Sequence, residues 1–271
     1  MLHRRAALGL MLGGGMYARA ALDRFFADAH GAAVLFDIRT RTVVAAHRRE
    51  IVDRWLIPPG STMKPLSLWA LLDAGKLRAG ERWPCQHKLT IAGRHLDCSH
   101  PVIAAPIDVS AAIAYSCNCF VAHYATRFER GELARFTAAH GLTAPAEMPA
   151  AEGDSDRQLQ AIGEARALVT PRALLSAYTE VALRAPAPIR KGLEGAVEYG
   201  TAQLAASPAV KIAGKTGTVL DASGARVAWF AGFGPSHAPE AVVVVAVQGR
   251  SGGLDAAPVG GAILAEHLAK K

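Results

Sequence analysis

Ser61 and Lys64 stand three residues apart within Pro58-Pro59-Gly60-Ser61-Thr62-Met63-Lys64-Pro65, and a hydroxyl and an amine at that spacing can serve as nucleophile and base. Pro59 and Gly60 break the preceding segment. The apolar run Leu66, Trp69, Ala70, Leu71, Leu72 that follows reads as a helix, so Ser61 falls at a helix start. Positions three apart share a helix face, which places both side chains on the first turn, with Pro65 early enough to be tolerated. A serine hydroxyl is a weak nucleophile until a base takes its proton. Lysine can be that base only where burial and nearby positive charge lower its pKa. Taken alone, such a pair is more often a helix cap beside a solvated lysine.

Two further elements follow in order, Ser116-Cys117-Asn118 and Gly214-Lys215-Thr216-Gly217-Thr218. Separately, Ser116 reads as a helix-junction cap and the Lys-Thr-Gly-Thr run as an edge-strand turn. Asn118 is the only asparagine in the chain. An Ala- and Arg-rich sequence that otherwise lacks Asn has one where an amide would be needed. Trp229 and Phe230 read as sheet core rather than as a substrate platform.

At 271 residues the chain can bury a sizeable core, and 51% hydrophobic with 20% charged residues is ordinary for a globular protein. Met1 to Ala20 reads as an export signal: Arg4 and Arg5 lead an apolar run from Ala6 to Met16, and Ala18-Arg19-Ala20 offers a small-x-small cleavage site. That run is too short for a permanent bilayer span. The address implied is outside the cytoplasm, in the periplasm or on the outer face of the cytoplasmic membrane. The formal charge of +7 falls to +4 once Arg4, Arg5 and Arg19 leave with the signal. Such mild basicity without a clustered stripe argues against nucleic acid and suits an anionic cell-wall polymer or membrane surface.

The cysteines are Cys85, Cys98, Cys117 and Cys119. In an exported chain Cys85 and Cys98 are disulfide candidates across a short hairpin, Leu89 to His95, centred on Gly93. Free thiols are the next reading. His87, His95 and His100 lie nearby and offer zinc-type ligands, but the spacing matches no standard zinc pattern, so neither a metal nor a cofactor is assigned. Cys117 and Cys119 are too close in sequence to pair with each other without strain.

Strand patterns frame the chain. Val34, Phe36 and Ile38 alternate with Leu35 and Asp37, Thr42 to His47 is a second strand, and Arg39-Thr40 is the hairpin turn. A short amphipathic helix is expected from Leu22 to His30. At the other end Val210 to Val219, Arg226 to Gly234 and Ala241 to Gln248 read as strands, closed by a helix from Ala256 to Lys271. Between them the pattern is mostly helical: Asp108 caps Val109 to Tyr115, Thr170-Pro171 opens Ala173 to Arg184, and Leu193 to Ala206 is a further helix. Leu142 to Asp156 reads as a loop. The implied organisation is a signal over 1–20 and one domain over 21–271, with a sheet lobe from 31–60 and 207–271 and a helical lobe from 61–206. The cleft between lobes is the natural site.

From about Ala33 to its end the chain resembles the penicillin-binding protein transpeptidases, within the wider group of penicillin-recognising serine enzymes. The matching stretches are Asp37-Ile38-Arg39-Thr40, Pro59 to Pro65, Ala114 to Asn118, Ala161-Ile162-Gly163 with Leu168-Val169-Thr170-Pro171, Gly200-Thr201-Ala202, Gly214 to Thr218 and Trp229-Phe230-Ala231-Gly232. The resemblance implies an α+β fold, an antiparallel five-stranded sheet with flanking helices plus an all-helical lobe. It also implies acyl transfer on the D-Ala-D-Ala stem peptide of peptidoglycan, with β-lactams as ligands and possible cell-envelope partner proteins. Ser61 would attack the carbonyl, Lys64 accept its proton, Ser116 relay a proton to the leaving amine, and Asn118 hold Lys64 and the substrate amide. Lys215, Thr216 and Thr218 would bind the terminal carboxylate, Gly217 would let the strand edge approach the substrate, and the N–H groups of Ser61 and Thr218 would form the oxyanion hole. A β-lactamase and a receptor that acylates once are the alternatives. Departures from the family pattern are Arg41 where the hairpin often has Gly, Pro101 after His100 where Gly is usual, and a shortened interval from Asn118 to Lys215.

Overall fold

The structure is a computed structural model that describes residues 20–26, 29–143 and 145–270. Of the export segment only Ala20 falls within it. Helix α1 (Ala20–Asp23) is shorter than the helix expected after the signal. Next come strands β1 (Gly31–Asp37) and β2 (Thr42–His47) and the short helix α2 (Arg49–Val52). The hairpin between the strands is set by the Asp37 carboxylate, which accepts from the backbone of Arg39 and Thr40 at 2.9 and 3.0 Å. Arg41 holds a φ of 57° there. That left-handed conformation costs a residue with a Cβ about 1–2 kcal/mol, which explains why glycine suits the position.

A tight 3-10 turn, Gly60–Met63, leads into α3 (Lys64–Asp73), with Pro65 in the first turn. The ribbon β3 (Thr90–Ile91) and β4 (Arg94–His95) follows, then α4 (Val109–Ala114), α5 (Asn118–Ala125) and α6 (Glu132–Ala139). Strand β5 (Ala146–Glu147) pairs with β6 (Leu168–Val169) on either side of α7 (Asp154–Ile162). Helices α8 (Pro171–Arg184) and α9 (Ala187–Glu198) lead to β7 (Ala213–Leu220), β8 (Arg226–Gly234), β9 (Ala241–Gln248) and α10 (Ala257–Ala269).

The main sheet has the order β2-β1-β9-β8-β7, antiparallel throughout, so both ends of the chain complete one sheet. Alternation along its strands feeds two cores. Val34, Phe36, Val242, Val244, Trp229 and Ala231 face the helical block, while Leu35, Val243, Val245 and Phe230 face α10 through Ile263 and Leu264. Burial on both faces is the reason Ala241–Val247 is continuously apolar rather than alternating. Helices α1 and α2 pack beside β2 and β1, and α3 to α9, interrupted by the two short ribbons, make up the block on the other face of the sheet from α10.

Other boundaries differ from expectation as well: β5 and the start of α7 fall within the stretch from Leu142 to Asp156 read as a loop. Helix α9 begins at Ala187 and ends at Glu198 instead of running from Leu193 to Ala206. Gly192 marks close packing: a Cβ there would lie 2.7 Å from the Ile113 Cβ and 2.9 Å from the Ser110 carbonyl oxygen. Caps elsewhere follow the sequence reading. The Asp108 side chain accepts from the Ala111 N–H, and the Thr170 hydroxyl accepts from the Ala173 N–H.

Candidate active site

Three separated segments meet where the helical block abuts β7. The first is the 3-10 turn bearing Ser61, half-buried at the head of α3. In a 3-10 turn residues three apart eclipse one another, so Ser61 and Lys64 share a face as the spacing requires. Four contacts from distant elements and from the turn itself pin it. The Gly60 N–H donates to the Gly163 carbonyl at 2.9 Å, and the Tyr178 hydroxyl donates to the Thr62 carbonyl at 2.9 Å. The Trp229 indole N–H donates to the Pro58 carbonyl at 3.0 Å, and the Thr62 hydroxyl closes onto the Pro59 carbonyl at 2.6 Å. Gly163 ends α7 with φ 78°, and a Cβ there would lie 2.1 Å from the Gly60 carbonyl oxygen. Only glycine satisfies both demands. Tyr178 is a supporting residue that motif reading misses, since an isolated tyrosine on an apolar helix face looks like core.

The second segment is the join of α4 and α5. Ser116 adopts φ 59°, a strained conformation for a non-glycine residue. Its carbonyl and its hydroxyl both accept from the Lys64 ammonium, at 2.6 and 3.1 Å. The Asn118 carboxamide oxygen accepts from the same Nζ, and its Nδ2 donates to the Leu96 carbonyl at 2.9 Å. Lys64 is completely buried, and desolvation lowers its pKa to about 8 against the partly opposing pull of Cys117, Cys98 and Glu164. Asn118 keeps one amide hydrogen for a further acceptor.

The third segment is β7, the edge strand. Lys215 is fully buried, donating to the Thr216 carbonyl at 3.1 Å. Burial, with the Lys64 charge nearby, pushes its pKa well below the usual lysine value. The Thr216 hydroxyl bonds Thr201 at 2.9 Å, and the Thr201 N–H donates to the Ala114 carbonyl at 3.2 Å, so the Gly200-Thr201 turn stitches α4 to β7. Thr218 is exposed, and its hydroxyl accepts from the Gly252 N–H at 3.0 Å. At Gly217 a Cβ would meet the Pro59 carbonyl oxygen at 3.0 Å and the Thr62 Cγ2 at 3.3 Å. The missing side chain there makes room for the Ser61 turn. A Cβ on Gly60 would sit 3.6 Å from the Thr218 amide nitrogen, which shows how closely that backbone lies beside Ser61. Trp229 and Phe230 are wholly buried in the sheet core.

Cys85 and Cys98 are not bridged: their sulfurs are 3.6 Å apart, and Cys117 and Cys119 join them in one cluster. The cause is tertiary, since the loop carrying Cys85 and Cys98 folds onto the α4–α5 join.

The chain belongs to the penicillin binding protein transpeptidase domain family, whose pattern it matches over residues 31–186 and 184–265. Among solved structures, it is similar to a peptidoglycan glycosyltransferase from Burkholderia ambifaria, at 23% identity and a TM-score of 0.79, covering 93% of this chain and 92% of that one. The transpeptidase domain of Burkholderia pseudomallei penicillin-binding protein 3 gives 23% identity and 0.79, over 93% and 91%. Pseudomonas aeruginosa PBP2 gives 21% and 0.79, over 92% and 76%. These likenesses establish the α+β fold with its five-stranded antiparallel sheet. No curated protein matches the chain by sequence. No helix among the described residues is long and apolar enough to cross a membrane.

Proposed function

We propose that the chain is a serine acyl transferase acting on D-Ala-D-Ala stem peptides of peptidoglycan at the cell envelope, as a D,D-transpeptidase or D,D-carboxypeptidase, and that β-lactams acylate it. The observation that carries this reading is the buried Lys64 ammonium, held on Ser116 and Asn118 and on the same turn as Ser61. In this mechanism neutral Lys64 takes the proton of Ser61 as Oγ bonds to the penultimate carbonyl carbon. The N–H groups of Ser61 and Thr218 hold the resulting oxyanion. As the C–N bond breaks, Ser116 Oγ, 3.1 Å from Lys64 Nζ, passes a proton to the leaving D-alanine nitrogen. An amine or water then takes the acyl group from Ser61. The free hydrogen of Asn118 Nδ2 meets a substrate carbonyl. Lys215, with Thr216 and Thr218, receives the terminal carboxylate, which supplies the counter-charge that burial withholds from the lysine.

On this basis Lys215→Ala slows penicillin acylation by at least about tenfold, since an oriented charge acting on the transition state is worth several kcal/mol. Stopped-flow labelling of the folded variant measures it, and a change under about twofold assigns the carboxylate to another residue.

The adduct itself distinguishes a transpeptidase from a β-lactamase. Fast hydrolysis needs a base that positions a water on the ester, either a Glu beside a second amide or a carboxylated lysine, and the contacts of Lys64 Nζ with Ser116 and Asn118 oppose carboxylation there. Glu147 lies exposed on β5, Glu152 pairs with Arg130 at 2.7 Å, and Glu164 pairs with Arg94 at 3.2 Å. The single asparagine is already bonded to Lys64 and Leu96. The penicilloyl mass on Ser61 therefore persists for many minutes to hours after excess drug is removed. Recovery of unmodified protein within seconds, or acceleration by bicarbonate, identifies a β-lactamase instead.

A further inference from the structure

We propose that Cys85, Cys98, Cys117 and His100 bind one zinc ion, and that this ion braces the loop Cys85–His100 against the Ser116–Asn118 turn. The four ligand atoms lie within 4.8 Å of one another. A tetrahedral zinc with bonds of about 2.3 Å to sulfur and about 2.0 Å to nitrogen places sulfurs about 3.8 Å apart and sulfur and nitrogen about 3.5 Å apart. The sulfurs of Cys85 and Cys117 are 3.4 Å apart, those of Cys85 and Cys98 3.6 Å, and those of Cys98 and Cys117 3.7 Å. The Cys85 sulfur is 3.5 Å from His100 Nε2. The three thiols are thus spaced as the edges of one coordination tetrahedron. A disulfide would need about 2.05 Å, and Cys98 is nearly equidistant from three other sulfurs, which favours no pairing.

The surroundings are those of bound thiolates. Each of the three sulfurs accepts a backbone N–H: Cys85 from His87 at 3.3 Å, Cys98 from Cys119 at 3.4 Å and Cys117 from Phe120 at 3.4 Å. His100 is buried, with Nδ1 on the Pro101 carbonyl at 2.8 Å. That bond fixes the tautomer and leaves the Nε2 lone pair facing Cys85, the arrangement by which outer partners orient metal-bound histidines. Cys119 is better placed as a supporting thiol: its sulfur lies 3.6 Å from the Lys88 carbonyl and 3.5 Å from Cys98. Three sulfurs and one imidazole suit zinc and exclude magnesium or calcium. On binding, the three thiols lose their protons to solvent.

The position gives the ion its purpose. Cys117 sits between Ser116 and Asn118, and the loop carrying Cys85 and Cys98 supplies the Leu96 carbonyl that holds the Asn118 amide. Closing the two segments around one ion offsets the strain of Ser116 and fixes both groups that contact Lys64. The inference stands on the cluster geometry and does not depend on the acyl-transfer reading.

The purified chain, dialysed without chelator, is expected to carry about one zinc per molecule by elemental mass spectrometry. Cobalt added to the stripped wild-type chain should give the intense near-ultraviolet thiolate-to-metal band and tetrahedral visible bands. Stripping should also speed amide exchange at His87, Cys119 and Phe120, the donors to sulfur. Cys117→Ser and His100→Ala should lower zinc retention against a competing chelator more than tenfold, whereas Cys119→Ser retains it. Four titratable thiols with no metal and no cobalt spectrum, or two disulfides in the native chain, overturn the site. Loss of metal in Cys119→Ser with retention in His100→Ala overturns the ligand set. Because the cobalt spectrum is read on the wild-type chain, it decides for or against the site even where a variant fails to fold.

Discussion

Ser61→Ala is expected to abolish covalent labelling by a fluorescent penicillin, a loss of about a millionfold in acylation rate and so no adduct by intact-mass spectrometry. The reason is the isolation of this hydroxyl. Its half-buried position on the pinned 3-10 turn brings it beside the Thr218 backbone, and no second hydroxyl occupies the same face of the turn with a lysine three residues on. Ser116, the alternative nucleophile, is bonded to Lys64 through both its carbonyl and its hydroxyl. Melting temperature checks the fold: Ser61 Oγ has no hydrogen-bond partner among the described residues, so its removal leaves stability nearly unchanged. Label retained on Ser61→Ala would move the chemistry to another side chain.

Lys64 carries the second large effect, and its pKa sets the sign. Burial brings it to about 8, so roughly one molecule in ten has the neutral amine at pH 7. A base works only when deprotonated. Acylation by penicillin therefore rises through pH 7 to 9, with its half-point near 8, and levels off above. Lys64→Arg should lower acylation by about a thousandfold at every pH and remove that rise, because a guanidinium remains charged throughout the accessible range. Lys64→Ala loses the base too, but it also leaves the Ser116 carbonyl and the Asn118 carboxamide without their donor, which costs about 1–3 kcal/mol of stability. Comparing the two variants separates the proton transfer from the scaffold. A wild-type profile flat from pH 6 to 9 would remove Lys64 from the role of base.

Much of the architecture is legible in the chain. Strands β2, β8 and β9 have the bounds that their apolar runs and flanking turns indicate, and in β9 the seven successive aliphatic residues Ala241–Val247 are those of a strand buried on both faces. The caps at Asp108 and Thr170 are local hydrogen bonds between near neighbours, and local chemistry suffices to find them. Helix α9 is less readable, since its first turns are settled by packing, with Gly192 against the Ile113 side chain of a helix distant in sequence.

Ser61, Lys64, Ser116, Asn118 and Lys215 stand out as candidates for chemistry only as three motifs in order, since each motif alone reads equally well as a cap, a solvated lysine or a turn, and spacing within one turn fixes only the Ser61–Lys64 pair. How these groups are held depends on the folded chain. The turn of Ser61 is bonded by Gly163, Tyr178 and Trp229, which lie on three elements far along the chain. Asn118 owes its orientation to the carbonyl of Leu96. The cysteines follow the same rule. Cys85 and Cys98 have the separation of a hairpin disulfide, yet their environment is set by Cys117 and His100, which reach them only when the loop folds onto the α4–α5 join. Spacing along the chain constrains neighbours within a few residues, whereas distances between segments depend on which surfaces are buried together.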